Sequence, residues 1–208
     1  MDLLITLVVT FIILIINELW WRKRDVHGEF SRKFVHVTVG CYVAFWPFYL
    51  SWTQIELLSV AFFVVVALSK YLNLFHAINS VQRPTWGELF FALSVGIIAL
   101  MTHDKWIYAA SVLQMALADG LAAIIGIRFG RKVSYRILGH TKSIVGTLTF
   151  FIVSFLILVA FEHFGKIHLS LAWMVIASAL ACILENVAAY GLDNLLVPLV
   201  VAFLLIHH

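Results

Sequence analysis

Apolar residues fall along this chain in long unbroken runs, separated by short clusters of charge, glycine and hydroxyls. The runs cover roughly residues 3–21, 34–50, 55–72, 89–101, 106–127, 144–161, 169–190 and 194–206. About twenty apolar residues cross a bilayer as a helix at 1.5 Å rise each. The pattern therefore predicts an all-α, polytopic membrane bundle of about eight transmembrane helices, the fourth and eighth short. Helices are expected because a backbone in lipid must satisfy its own hydrogen bonds, and no strand-like alternation is visible. No linker or low-complexity segment divides the chain, so residues 1–208 read as one domain. The run at 3–21 acts as an anchor, and residues 32–198 form the core that carries the chemistry.

Composition and charge sharpen this picture. Hydrophobic residues make up 63% and charged residues 12%, against roughly 45–50% and 25% in soluble domains. Together with a mean hydropathy of +1.02, these values exclude a soluble globular enzyme. The first run has no basic residue before it and Arg22, Lys23 and Arg24 after it, the reverse of a cleavable signal peptide. It reads as a retained anchor with its N-terminus outside, since Lys and Arg stay on the cytoplasmic side. Alternating the spans from there puts twelve basic residues on the cytoplasmic side and leaves only Lys105 and Lys166 outside. The isoelectric point near 9.0 is thus explained by topology, and no nucleic-acid partner is implied. Cys41 and Cys182 lie in apolar runs and read as packing residues.

Against this apolar background two acids stand out: Asp119 in the fifth run and Glu185 in the seventh. An ionisable group in a bilayer costs several kcal/mol on most scales and marks a functional cavity. Asp119 is followed by Gly120, and Ala118, Ala122, Gly126 and Gly130 make a small-residue stripe along which another helix can approach. Glu185 reads equally well as a partner in an interhelical hydrogen bond. The segment from Arg128 to Ser143 carries five basic residues, Gly139 and hydroxyls that continue to Thr147. Such a loop before a helix can hold phosphates through backbone N–H groups, the helix dipole and Lys142. It is not a Walker A loop, because Thr141 stands where that motif has glycine. Positive-inside topology alone accounts for Arg131 and Lys132, but less well for Lys142.

Arg32, Lys33 and His36 share a helical face where the second run begins, a place suited to phosphate contact or, for the first two, to snorkelling. Thr85 and Glu88 fit a capping box for the fourth helix. Asp193 reads as an N-cap beside Asn194, with Pro198 limiting the helix start. His103, His163 and His168 fall on the outer face and define no metal site.

ALADGLAAIIGIRFGR, TKSIVGT and ENVAAYGLDNLLVP, preceded by SRKFVH and RPTWGE, together resemble the CTP-dependent lipid kinases that include dolichol kinase, phytol kinase and fungal diacylglycerol kinase. The resemblance runs from about Arg32 to Pro198. The Ala-Asp-Gly and Lys-Ser-x-x-Gly-Thr elements are shared with phosphatidate cytidylyltransferases, and the Glu, Asp-Asn and Pro ending favours the kinase branch. The resemblance implies a multi-pass enzyme that uses CTP and a divalent metal at the cytoplasmic face of a cell or organelle membrane. In that frame Asp119 and Asp193, with Glu185, hold Mg²⁺ on the nucleotide. Gly120, Gly126, Arg131, Gly139, Lys142, Ser143, Gly146 and Thr147 bind the nucleotide. Arg32, Lys33 and His36 neutralise transition-state charge, and Asp119 or His36 takes the proton of the lipid hydroxyl. Arg83, Glu88 and Asn194 complete the motif set. The expected partners are the lipid alcohol, the nucleoside triphosphate and membrane lipids, with a homodimer as an open option.

Two other readings compete. A cytidylyltransferase needs the same metal and basic loop, but this chain lacks the His-Gly-Gly and Asp-Arg-x-Asp pattern that closes typical members. A transporter would carry polar residues through to the outer face, whereas the acids and most basic residues here gather on one side.

Overall fold

The computed structural model describes residues 2–24, 29–72, 85–130, 132–164 and 166–208. Helix α1 (Asp2–Arg24) is followed by α2 (Glu29–Ala44), a single 3₁₀ turn at Trp46–Phe48 and α3 (Trp52–Leu72). Next come α4 (Gly87–Met101), then α5 (Lys105–Leu113), a π-helical stretch at Gln114–Ala118 and α6 (Asp119–Phe129) in one continuous pass. A hairpin of β1 (Ser134–Ile137) and β2 (His140–Ser143) precedes α7 (Ile144–His163), α8 (Leu171–Val187) and α9 (Asp193–Ile206). The all-α expectation holds except at the hairpin, which the sequence reading treats as loop.

Four of the described helices, α1, α3, α5–α6 and α7, are long and apolar enough to cross a membrane. The shorter α4, α8 and α9 are also apolar. The 15 residues of α4 rise only about 22 Å, less than a hydrocarbon core of about 30 Å. The outward faces of α1, α3, α7 and α8 carry exposed residues such as Leu4, Phe11, Val60, Val64, Leu148, Ile152 and Ile183. So much contiguous apolar surface fits lipid rather than water.

One core cluster joins α2, α3, α4 and α5 around Val43, Ile55, Ile98 and Tyr108. A second joins α5 to α9 around Phe150, Leu158, Met174 and Val201. α4 is clasped between α3 and α9, α6 lies along α7, and α2 crosses the α5–α6 pass. The small-residue stripe explains the closeness of α6 and α7: a Cβ on Gly126 would lie 3.3 Å from the Gly146 Cα. α1 packs chiefly on α2 and is the least buried of the long helices.

Several sequence expectations change at helix ends. α4 begins after Trp86 without a side-chain cap: Thr85 Oγ1 accepts from the Gly87 N–H at 3.1 Å, while Glu88 is held by cations, so no capping box forms. Asp193 is the first residue of α9 rather than its N-cap, and Pro198 lies inside that helix. Standing in the second turn, the proline leaves the Asn194 carbonyl without the backbone donor that another residue would supply there.

The hairpin has a legible cause. Strand β1 alternates exposed Ser134 and Arg136 with half-buried Tyr135 and Ile137, and it pairs antiparallel with β2, setting Tyr135 opposite Lys142. Leu138 and Gly139 both take positive φ, 46° and 82°, the two-residue turn whose twist suits a hairpin. Glycine adopts such a φ freely, whereas leucine pays for it in steric strain.

Candidate active site

Segments far apart in sequence meet at one end of the bundle: the start of α2, the beginning of α6, the hairpin with the start of α7, and the turn between α8 and α9. They enclose a cavity of about 1060 Å³, at the upper end of the range for small-molecule sites.

Asp119 sits where the helix changes register. The N–H of Asp119 reaches back five residues to the Gln114 carbonyl, a widened turn of the kind found at functional positions. Asp119 is 4% exposed. Its Oδ2 accepts a hydrogen bond from Lys33 Nζ, and His36 Nε2 lies 3.6 Å from the same oxygen. Lys33 and His36 are three residues apart on α2, so one helical face delivers both. His36 Nε2 also lies 3.0 Å from the Met115 carbonyl. A carbonyl only accepts, so Nε2 carries the hydrogen in this contact.

Arg32 pairs with Glu29 at 2.5 Å and stands 3.5 Å from Glu88. Lys70 of α3 holds Glu88 at 2.9 Å and donates to the Thr85 carbonyl. Glu88 therefore ties α3, α4 and the Arg32 side chain together.

On the hairpin side, Lys142 Nζ donates to the Glu185 carboxylate at 2.5 Å and to the Glu185 carbonyl at 2.9 Å. Burial disfavours the ammonium charge, but the Glu185 carboxylate outweighs it, and the pKa of Lys142 is raised above its ordinary value. Ser143 caps α7, its Oγ accepting from the Gly146 N–H at 3.0 Å. Tyr135 donates to Asn186 Oδ1 and lies 2.5 Å from Thr147 Oγ1, which itself donates to Asn186 Oδ1 at 3.1 Å. This network pins the hairpin to α7 and α8.

The third wall joins two motifs. Tyr190 and Gly191 both have positive φ, and Gly191 lies against Gly87: a Cβ on Gly191 would be 2.4 Å from the Gly87 nitrogen. Trp86 N–H donates to the Tyr190 carbonyl at 3.0 Å, and Asn194 Nδ2 donates to the Gly87 carbonyl at 3.0 Å.

Most residues singled out in the sequence line this one cavity. Arg32, Lys33, Asp119 and Lys142 do so, as do Gly126, Gly139, Ser143, Gly146 and Thr147, and likewise Glu185, Asp193 and Asn194. Three are placed elsewhere. Gly120 is covered by α2, where a Cβ would lie 2.1 Å from Val37 Cγ2, so its role is helix packing rather than nucleotide contact. Glu88 and His36 line a second, apolar cleft of about 290 Å³ between α1, α2, α3 and α4. Arg83 and Arg131 lie outside the described residues. The sequence reading missed Tyr135, Asn186, Lys70, Gly87 and Gly191. Asn186 had a signal, being a second polar residue beside Glu185 in an apolar helix.

Among the described residues no three His, Cys, Asp or Glu side chains converge as a ready-made metal cage. Asp119 and Glu185 are each engaged by a lysine, and Asp193 lines the same cavity.

The chain is 35% identical to a phytol kinase of Synechocystis over 180 residues, covering 83% of this chain and 76% of the relative. It is 32% identical to a probable chloroplastic phytol kinase of Triticum aestivum, covering 88% and 69%. A shorter match, 32% over 99 residues, reaches the dolichol kinase of Saccharomyces cerevisiae and covers 46% of this chain and 18% of that protein. No family model and no solved structure matches the chain.

Proposed function

The chain belongs to the phytol kinase family, and on that premise we propose that it is an integral membrane lipid kinase moving the γ-phosphate of a nucleoside triphosphate to the hydroxyl of a lipid alcohol. The observation that carries this reading is the single cavity in which Lys33, Arg32, Asp119 and Lys142 gather at one end of an apolar bundle. CTP as donor follows from the family resemblance. A prenol such as phytol or a polyprenol is the favoured acceptor.

Phosphoryl transfer asks the protein mainly for positioning and charge neutralisation. Lys142 and the N-terminus of α7 bind the phosphates, with Gly139 at the hairpin tip leaving room for them. Lys33 and Arg32 neutralise the charge that builds on the transferring group. The alcohol oxygen bonds to the terminal phosphorus as the bond to the bridging oxygen breaks, and the nucleoside diphosphate leaves. The hydroxyl proton passes to Asp119, which lines the cavity beside Lys33. Mg²⁺ belongs to the same proposal, because that ion uses one or two carboxylates together with nucleotide phosphates rather than a full protein cage. Asp119 and Asp193 would hold it, with Glu185 joining only where Lys142 turns from it to the phosphates, and when bound it supplies positive charge to the phosphates.

Eight membrane passes, an outside N-terminus and a cytoplasmic cavity complete the proposal, supported by the distribution of Lys and Arg. The test is to incubate membranes containing the protein with lipid extract and CTP labelled in the γ- or the α-phosphate. Only γ-label should enter the organic phase. Incorporation of α-label would make the protein a cytidylyltransferase instead.

A further inference from the structure

The apolar cleft adjoins the cavity. Arg32 and Asn194 line both, so the two spaces meet at these side chains. Arg32, His36, Glu88 and Asn194 line the cleft together with Glu18, Thr10 and Ser69, and its other lining residues are apolar, among them Phe11 and Leu14 of α1 and Val65 of α3. Asn194 is 2% exposed, and its Oδ1 has no hydrogen-bond partner in the structure. The amide orientation is fixed because Gly87 offers a carbonyl, which needs the Nδ2 donor. A buried acceptor without a donor costs about 1–3 kcal/mol, and a hydroxyl is the group that would satisfy it from the cleft side.

We propose that this cleft seats the acceptor: one prenyl chain lies between α1, α2 and α3, and its hydroxyl docks by donating to Asn194 Oδ1 at the mouth of the cavity, then turns its proton to Asp119 for the transfer step. The proposal rests on the lipid-kinase reading and adds the place and shape of its second substrate. A volume of about 290 Å³ is at the lower bound for ligand sites. It accommodates the head-proximal part of one chain and leaves no room for two. The preferred acceptor is therefore a single-chain alcohol rather than a diacylglycerol. Asn194 acts as a positioning residue that aims the hydroxyl oxygen towards the phosphates.

The test uses the full chain in phospholipid nanodiscs and phytol carrying a photoactivatable diazirine on its tail, with the labelled peptides mapped by mass spectrometry. Labelling is expected on the cleft-lining segments of α1 and α3, suppressed by excess phytol and not by dioleoylglycerol. In parallel, Leu14→Trp, on the peripheral helix, should raise the KM for phytol about tenfold with an unchanged KM for the nucleotide. Asn194→Leu should raise the KM for phytol at least as much. Because it also removes the bond to the Gly87 carbonyl, Val65→Trp on α3, which lines the cleft and not the cavity, is the second variant that should show the split. Label spread over the outward helix faces without competition, in nanodiscs that still phosphorylate phytol, would overturn the cleft and leave the kinase standing. Equal competition by dioleoylglycerol would overturn the single-chain preference. Cleft labelling without phosphate transfer to any alcohol would instead sink the kinase reading, and with it the acceptor role.

Discussion

Two lysine–carboxylate pairs border the same cavity, and they differ in what surrounds them. Lys33 and Asp119 come from two packed helices, with side chains only 6% and 5% exposed. Lys142 projects from a two-stranded hairpin to Glu185, and its side chain is 24% exposed. The first pair is locked into the bundle, so it joins α2 to α6 and, in the proposed reaction, also takes part in the transfer. The second connects a small hairpin to α8 and remains open enough for a phosphate to compete with Glu185. Burial thus separates a pair that must stay formed from one that a ligand can rearrange.

The sharpest way to break this comparison is Asp119→Asn, which removes the proposed base and leaves the Lys33 charge buried without its partner. Turnover should fall about 10³-fold or more. Thermal melting in detergent should report a loss of about 3–5 kcal/mol, the usual cost of orphaning one member of a buried pair. Lys142→Met should lower kcat/KM for the nucleotide about 10²-fold with a smaller change in melting. An equal loss of stability in both variants would erase the distinction.

Next in size is Gly130→Ala, whose Cβ would lie 2.3 Å from Ser143 Oγ and 2.6 Å from the Gly126 carbonyl. It should displace the hairpin and raise the nucleotide KM while leaving the acceptor KM unchanged. Tyr135→Phe removes the donor to Asn186 and should cost about 1 kcal/mol, visible as faster proteolysis within residues 132–143. Smallest is the response to pH. Because the pKa of Lys142 is raised, its pair with Glu185 contributes fully below the ordinary lysine value and is lost only as pH rises through the raised one. Nucleotide KM should therefore stay flat from neutral to mildly alkaline pH, as steady-state kinetics would show.

The polar residues that line the cavity were legible because such residues are costly in an apolar run. Asp119, Glu185 and the face bearing Lys33 and His36 announce themselves for that reason. Their partners were not legible, since nothing local says that Lys33 meets an acid 86 positions away or that Lys70 rather than a helix terminus claims Glu88. The hairpin escaped because a four-residue alternation such as Ser134 to Ile137 is too short to stand out beside twenty-residue runs. The widened turn before Asp119 has no composition of its own, and it is visible only in the backbone.

The contact between Gly87 and Gly191 brings backbone against backbone with no side chain between. Most spacings in a protein drift as substitutions swap a larger group for a smaller one. This one has nothing to swap, so it acts as a fixed gauge between the helix that bears Glu88 and the turn that leads to Asp193 and Asn194. Lipid-facing surfaces elsewhere can be rewritten freely while that gauge holds the two halves of the site at one setting.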